Sequence, residues 1–248
     1  MTPTWVLLRG LTRETGHWGR FLAGFQAACP GARVIALDLP GAGARHGDAA
    51  PLRVADMAAR CRDELLQGGV TPPYRLVGLS LGGMVAVAWA AACRAEVSHC
   101  VLINASMRPF GAMHQRLRPS VWPALAGLAM RRDPMAVERR ILDMTSSQPA
   151  EHAAVLDEWV AIRRTRPMTR GNAIRQLWAA ARFRAPAWPA AVNTLVLCSD
   201  GDRLVDPACS HRLAARWSCR LAVHPHAGHD LPLDDGAWVM RQIVQAFG

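Results

Sequence analysis

The chain has 248 residues, 51% of them hydrophobic and 19% charged, which is enough for one sizeable core and too apolar for a disordered chain. Its formal net charge of +10 comes from 29 arginines without a single lysine, dispersed and not interleaved with aromatic residues, a pattern that speaks for compositional bias and against a nucleic-acid surface. The longest apolar runs, 84–93 and 121–130, are about half the length of a membrane span, so no membrane association is expected.

Taken in chain order, short apolar strands alternate with amphipathic helices, which predicts a mainly parallel sheet with helices on both faces. Strands are expected at 5–9, 33–38, 74–78, 99–104, 194–199 and 220–224. The first, an apolar run ending at Arg9, reads as a strand and not as a signal peptide. Trp18, Phe21, Leu22, Phe25 and Ala28 fall on one helical face, and Pro30-Gly31 stops that helix. Val54, Met57, Ala58, Cys61 and Leu65 form a second face, and a third helix over 236–247 is expected to bury Trp238, Ile243 and Phe247. Between about 107 and 190 no strand is expected. Pro109, Pro119, Pro123, Pro134, Pro149 and Pro167 divide this stretch into short helices, an insert long enough to act as a helical cap within a single domain.

Seven cysteines, at 29, 61, 93, 100, 198, 209 and 219, are odd in number and include no CxxC pair. They read as reduced thiols of a cytoplasmic protein, with no disulfide framework and no metal site.

The strongest chemical signal is Gly78-Leu79-Ser80-Leu81-Gly82, placed between the apolar strand at 74–78 and the small, apolar run 83–93. A serine at such a strand-to-helix turn is held in a strained conformation that lifts its hydroxyl above the sheet edge. Gly78 and Gly82 are needed because a Cβ at either position would collide with a neighbouring strand or helix. The Leu81 N–H, at the helix start, can donate to an oxyanion. A hydroxyl needs a base. His229, in Ala227-Gly228-His229-Asp230 just beyond the last strand, is the favoured one, with His224 and His226 as alternatives. The loop after strand 194–199 holds Asp200, Asp202 and Asp206. Asp200 lies near the strand end and Asp206 precedes Pro207 as a helix cap would, which leaves Asp202 at the apex as the favoured partner of His229. His17 and Asp38 read as structural residues.

These residues resemble the α/β-hydrolase superfamily over nearly the whole chain. Leu7-Leu8-Arg9-Gly10-Leu11, His17-Trp18, Asp38-Leu39-Pro40-Gly41-Ala42-Gly43, the Ser80 motif, Ser199–Asp202 and Ala227–Asp230 follow one another in the family's order. Within it the chain is similar to small capped carboxylesterases, such as the biotin-pathway esterase that removes a methyl ester from an acyl-carrier-protein-bound chain. The resemblance implies an α/β-hydrolase fold trimmed to about six strands and a triad in the order Ser80, Asp202, His229. It also implies a second oxyanion N–H from Leu11. Arg9 departs from the pattern: the family's usual residue there is histidine, and a guanidinium could pair with an acid or brace the loop.

The activity so implied is hydrolysis of a small-molecule carboxylic ester through an acyl-enzyme, without metal or organic cofactor. Serine at position 80 argues against dehalogenase and epoxide-hydrolase relatives, which carry aspartate there. Thioester hydrolysis, C–C bond hydrolysis and perhydrolysis are rivals that use the same triad, and a non-enzymatic ligand sensor is a rival of another class. Charge suggests a partner. Residues 107–190 hold fourteen arginines against six acidic residues, and the remainder fifteen against thirteen. Steering of an acidic acyl carrier protein or a coenzyme A thioester would use that excess, and a merely solvated surface is the alternative.

Overall fold

The computed structural model describes residues 2–186 and 192–247. Six strands form one parallel sheet: β1 (Thr4–Leu8), β2 (Arg33–Leu37), β3 (Tyr74–Leu79), β4 (Val97–Ile103), β5 (Asn193–Ser199) and β6 (Arg220–His224), in the spatial order β2-β1-β3-β4-β5-β6. The expected six strands are all present, each within two residues of its predicted bounds.

Alternation along the strands divides the core into two layers, because successive side chains of a strand point to opposite faces. Val6, Leu8, Leu76, Cys100, Leu102 and Val196 face one layer, and Trp5, Leu7, Val77, Leu79, Val101, Ile103, Leu195 and Leu197 face the other. The first layer is covered by α2 (Val54–Gln67), α3 (Leu81–Ala92) and α9 (Ala208–Trp217). The second is covered by α1 (Arg20–Ala28) and α10 (Leu231–Phe247). Burying each large aliphatic side chain in these layers contributes about 1.5–3 kcal/mol. The face of α2 read from the sequence is the buried one: Val54, Met57, Ala58, Cys61 and Leu65 are all inaccessible.

The last helix differs from expectation. It begins at Leu231, not at 236, and is kinked at Asp235, whose Oδ1 accepts from the Trp238 N–H at 2.9 Å and so caps the second segment. Val239 and Ile243 are buried there. Trp238 and Phe247 are only half-buried, because they close the rim of the layer against His224 and against Trp5 and His99.

Between β4 and β5 lie α4 (Met113–Arg116), α5 (Trp122–Met130), α6 (Pro134–Thr145), α7 (Leu156–Thr165) and α8 (Arg170–Arg182), and an isolated β-bridge, Arg108 to Arg184, ties the two ends of this region together. The expected end of the insert, near residue 190, lies outside the described residues. These helices build two small apolar clusters of their own. One, around Val121, Ala124 and Met144, meets Leu204, and the other, around Leu142, Leu156 and Trp159, meets Leu233. Leu204 lies in the loop after β5 and Leu233 in the first turn of α10, after β6, both at the carboxyl edge of the sheet, so the inserted helices lie over that edge. Among the described residues no helix is long and apolar enough to cross a membrane, and the seven cysteines are unbridged.

Candidate active site

In an open parallel sheet, reactive groups gather outside the carboxyl ends of the strands. Ser80 leaves β3 at that edge with φ 55° and ψ −114°, a left-handed conformation that costs a non-glycine residue energy. What holds it there is visible in its neighbours. Its N–H donates to the Ile103 carbonyl at 2.9 Å, and its carbonyl accepts from Gly83 and Met84 in the first turn of α3. A Cβ on Gly78 would collide with the Gly82 carbonyl and one on Gly82 with the Leu8 carbonyl, so both flanking glycines are sterically required. The turn after β1 comes equally close, since a Cβ on Gly10 would stand 3.3 Å from the Ser80 Cβ.

His229 lies on the loop after β6, and its Nδ1 is 2.7 Å from Asp202 Oδ2. A carboxylate only accepts, so Nδ1 carries the proton and Nε2 keeps its lone pair. Asp202 is itself oriented: its Oδ1 accepts from the Leu204 and Val205 N–H groups at 2.8 and 3.0 Å. Both residues are buried. Burial disfavours the His229 imidazolium, but the adjoining Asp202 charge and hydrogen bond outweigh it, so His229 titrates above the ordinary histidine value. No hydrogen bond joins Ser80 Oγ to His229 among the described residues. Such bonds are often long until substrate is in place.

The other candidates from the sequence lie elsewhere in the hydrogen-bond pattern. Asp200 is exposed, and Asp206 Oδ1 accepts from the Ala208 N–H at the start of α9. His224 Nδ1 accepts from the backbone of His226 and Ala227. Asp38 accepts from the Thr15 and Ala44 N–H groups, a turn-bracing role. His17 is buried, its Nδ1 accepts from the Glu14 N–H at 3.0 Å, and its ring meets Trp159 edge-on. Burial, with Arg13 and Arg9 close by, holds it neutral. Among the described residues the Leu11 and Leu81 N–H groups donate to no protein acceptor, and both flank the Ser80 elbow.

Three features of the site were not legible in advance. Arg9 forks onto Asp230, Nη1 to Oδ1 at 3.1 Å and Nη2 to Oδ2 at 2.6 Å, with its guanidinium 4.8 Å over Trp18. The sequence marked Arg9 as a departure, and the acid it pairs with is the neighbour of His229. Asn104, at φ 45° just beyond β4, accepts from the Ser199 N–H and donates to the His229 carbonyl at 2.9 Å, which pins the histidine loop to two strands. An Asn closing an apolar strand is a recognisable signal for a left-handed residue. Glu138 of α6 bridges Arg13 Nη1 at 2.6 Å and Arg163 Nε at 2.5 Å, and Arg13 lies 4.0 Å over Trp159, so the turn after β1 is tied to α6 and α7. Nothing short-range in the sequence announces that bridge. Among the described residues no group of three or more His, Cys, Asp or Glu side chains could hold a metal ion.

Comparison with known proteins agrees with this fold. No curated protein matches the chain. Among solved structures it is similar to the enol-lactonase from Burkholderia xenovorans LB400 (TM-score 0.80, 18% identity, covering 99% of this chain and 91% of that one). It is also similar to a thermophilic esterase from Thermogutta terrifontis (TM-score 0.75, 23% identity, 98% and 88%) and to a meta-cleavage product hydrolase (TM-score 0.78, 18% identity, 100% and 91%). At these identities the likeness speaks for the fold. The family described as the alpha/beta hydrolase family matches residues 5–242, nearly the whole chain. By that match, the chain belongs to the alpha/beta hydrolase family.

Proposed function

We propose that the chain is a serine hydrolase that cleaves a carboxylic ester through an acyl-enzyme. The observation that carries this reading is the Asp202–His229 hydrogen bond, 2.7 Å long and buried, at the same sheet edge as the strained Ser80 turn. In this mechanism the Ser80 hydroxyl attacks the ester carbonyl while His229 Nε2 takes its proton, and Asp202 stabilises the resulting imidazolium. The Leu11 and Leu81 N–H groups receive the oxyanion, which suits two amides that no acceptor among the described residues engages. The imidazolium then protonates the leaving alcohol, and a water activated by His229 releases the acid. A buried Asp202–His229 pair at the same sheet edge as the Ser80 turn supports turnover over a purely sensory role.

The inserted helices 113–182 act as the cap in this reading, and through Glu138 they grip the turn that carries Leu11. Their arginine excess is the basis for an acidic handle on the substrate, an acyl carrier protein or a coenzyme A thioester. Part of it serves the fold instead: Arg163 and Arg166 pair with Glu138 and Glu14, and Arg116 donates to the Ala180 and Ala181 carbonyls. Arg131, Arg132, Arg139, Arg140, Arg164 and Arg170 are exposed and available for steering. Ser80→Ala tests the reading. It is expected to fold as the parent and to lose at least about three orders of magnitude in kcat on short p-nitrophenyl esters. A variant that kept a tenth of parental turnover would remove Ser80 from the mechanism.

A further inference from the structure

The proposed reaction needs two distant segments in register, the turn 10–13 with the Leu11 N–H and the loop 226–230 with His229. Arg9 immediately precedes the first, and Asp230 immediately follows His229. The two side chains, 221 residues apart, meet in a two-point fork at 3.1 and 2.6 Å. Both are buried, Arg9 at 1% and Asp230 at 4% exposure. A buried guanidinium finds few partners, and among the described residues Nε has none, so the fork and the Trp18 face hold the group. The Asp230 N–H donates to the Thr145 carbonyl at 2.8 Å, which ties its backbone to the end of α6. Gly10, next to Arg9, is the residue whose Cβ would stand 3.3 Å from Ser80. A shift of the fork therefore reaches both the oxyanion donor and the base.

We infer that Arg9 and Asp230 form a positioning pair that sets the Leu11 amide against the His229 imidazole and keeps the charge around that imidazole balanced. The inference rests on the Ser80–His229–Asp202 reading above. The charged groups facing His229 are Asp202 from the loop after β5, Asp230 from its own loop, and Arg9 from the end of β1, with Arg13 facing Asp230 in turn. Burial weighs against the imidazolium, Asp202 and Asp230 favour it, and Arg9 disfavours it. Intact, the pair is close to neutral. Cut on one side, it leaves a charge whose sign depends on which partner was removed.

The test measures kcat/KM against pH for the full chain and for Arg9→Lys, Arg9→Met, Asp230→Asn and the Arg9→Met/Asp230→Asn double variant. Rates are divided by the concentration of Ser80 titrated with a fluorophosphonate, which corrects for misfolded protein. The acidic limb reports the free enzyme's base. Arg9→Met leaves the Asp230 charge uncompensated and should move that limb to higher pH. Asp230→Asn leaves the Arg9 charge and should move it to lower pH, and the double variant should bring it back towards the parent. Arg9→Lys keeps the charge but loses the fork, so its limb should stay in place while kcat per titrated site falls about 10- to 100-fold with KM nearly constant. A merely structural pair would change stability without these opposed shifts. Parental kcat per titrated site in Arg9→Lys, or limbs that move in the same direction in Arg9→Met and Asp230→Asn, would overturn the pair alone. Should either single variant fail to fold, Arg9→Lys decides by itself. A parent protein that the fluorophosphonate leaves unlabelled at Ser80 would overturn the underlying reading, and the pair with it.

Discussion

Replacing Asp202 by asparagine exchanges one carboxylate oxygen for an amide NH2 and should stop the reaction for a reason that can be followed through the hydrogen bonds. Asp202 Oδ1 is held by the Leu204 and Val205 N–H groups, both donors, at 2.8 and 3.0 Å. An asparagine must keep its carbonyl oxygen there, which turns its NH2 towards His229 Nδ1. That NH2 donates where the carboxylate accepted, so Nδ1 becomes the acceptor and the ring proton moves to Nε2. Nε2 then has no lone pair for the Ser80 proton. The geometry survives and the tautomer is wrong. The expected loss in kcat is on the order of 10⁴-fold, equivalent to about 5.4 kcal/mol of transition-state stabilisation. The assay is steady-state hydrolysis of p-nitrophenyl acetate across pH, with Asp200→Asn and Asp206→Asn as companions. Because Asp200 is exposed and Asp206 serves the start of α9, both should stay within about tenfold of the parent. An Asp202→Asn enzyme above a tenth of parental kcat, or a crippled Asp206→Asn, would refute the assignment of the third residue.

Other outcomes follow from the same structure. Glu138→Gln leaves Arg13 buried without its carboxylate and should lower unfolding free energy by about 3–5 kcal/mol in urea titration, and a loss below about 1 kcal/mol would show that the bridge is idle. The folded His229 titrates above the unfolded value of 6.5, so its contribution to stability is full below that pH and is lost as pH rises through the raised folded value. The stability gap between parent and His229→Gln should accordingly shrink on going alkaline, and a gap that widens would contradict the sign. If the exposed cap arginines steer an acidic carrier, kcat/KM on a carrier-linked acyl ester should exceed that on the free methyl ester and the preference should collapse with salt. Equal rates at every ionic strength would leave the charge as surface.

The parts of the fold readable from the chain were those with a short-range cause. Short apolar runs between amphipathic helical stretches placed all six strands, and the spacing of Val54, Met57, Ala58, Cys61 and Leu65 described the buried face of α2 residue by residue. The requirement for Gly78 and Gly82 could be argued from the elbow alone and corresponds to definite collisions in the structure. The start of α10 was misjudged because Asp235 caps its second segment as an ordinary N-cap would, and the preceding turn from Leu231 carries no separate signal. Trp238 and Phe247 have the apolarity of core residues but sit at the rim, where an aromatic ring is only half covered. The ties between loops were beyond reach for a different reason. Arg9 with Asp230, and Arg13 with Glu138, join residues 221 and 125 positions apart, and no local pattern encodes such pairings.

The central claim is that Ser80 is the nucleophile of an acyl-enzyme, and it is tested most directly on the serine itself. Parent and Ser80→Ala proteins are incubated with a fluorophosphonate, digested, and mapped by peptide mass spectrometry. The account predicts one adduct, on the peptide that contains Ser80, in the parent only, and formed far more slowly in Asp202→Asn. An unlabelled parent, or an adduct on a different residue that persists in Ser80→Ala, would contradict it.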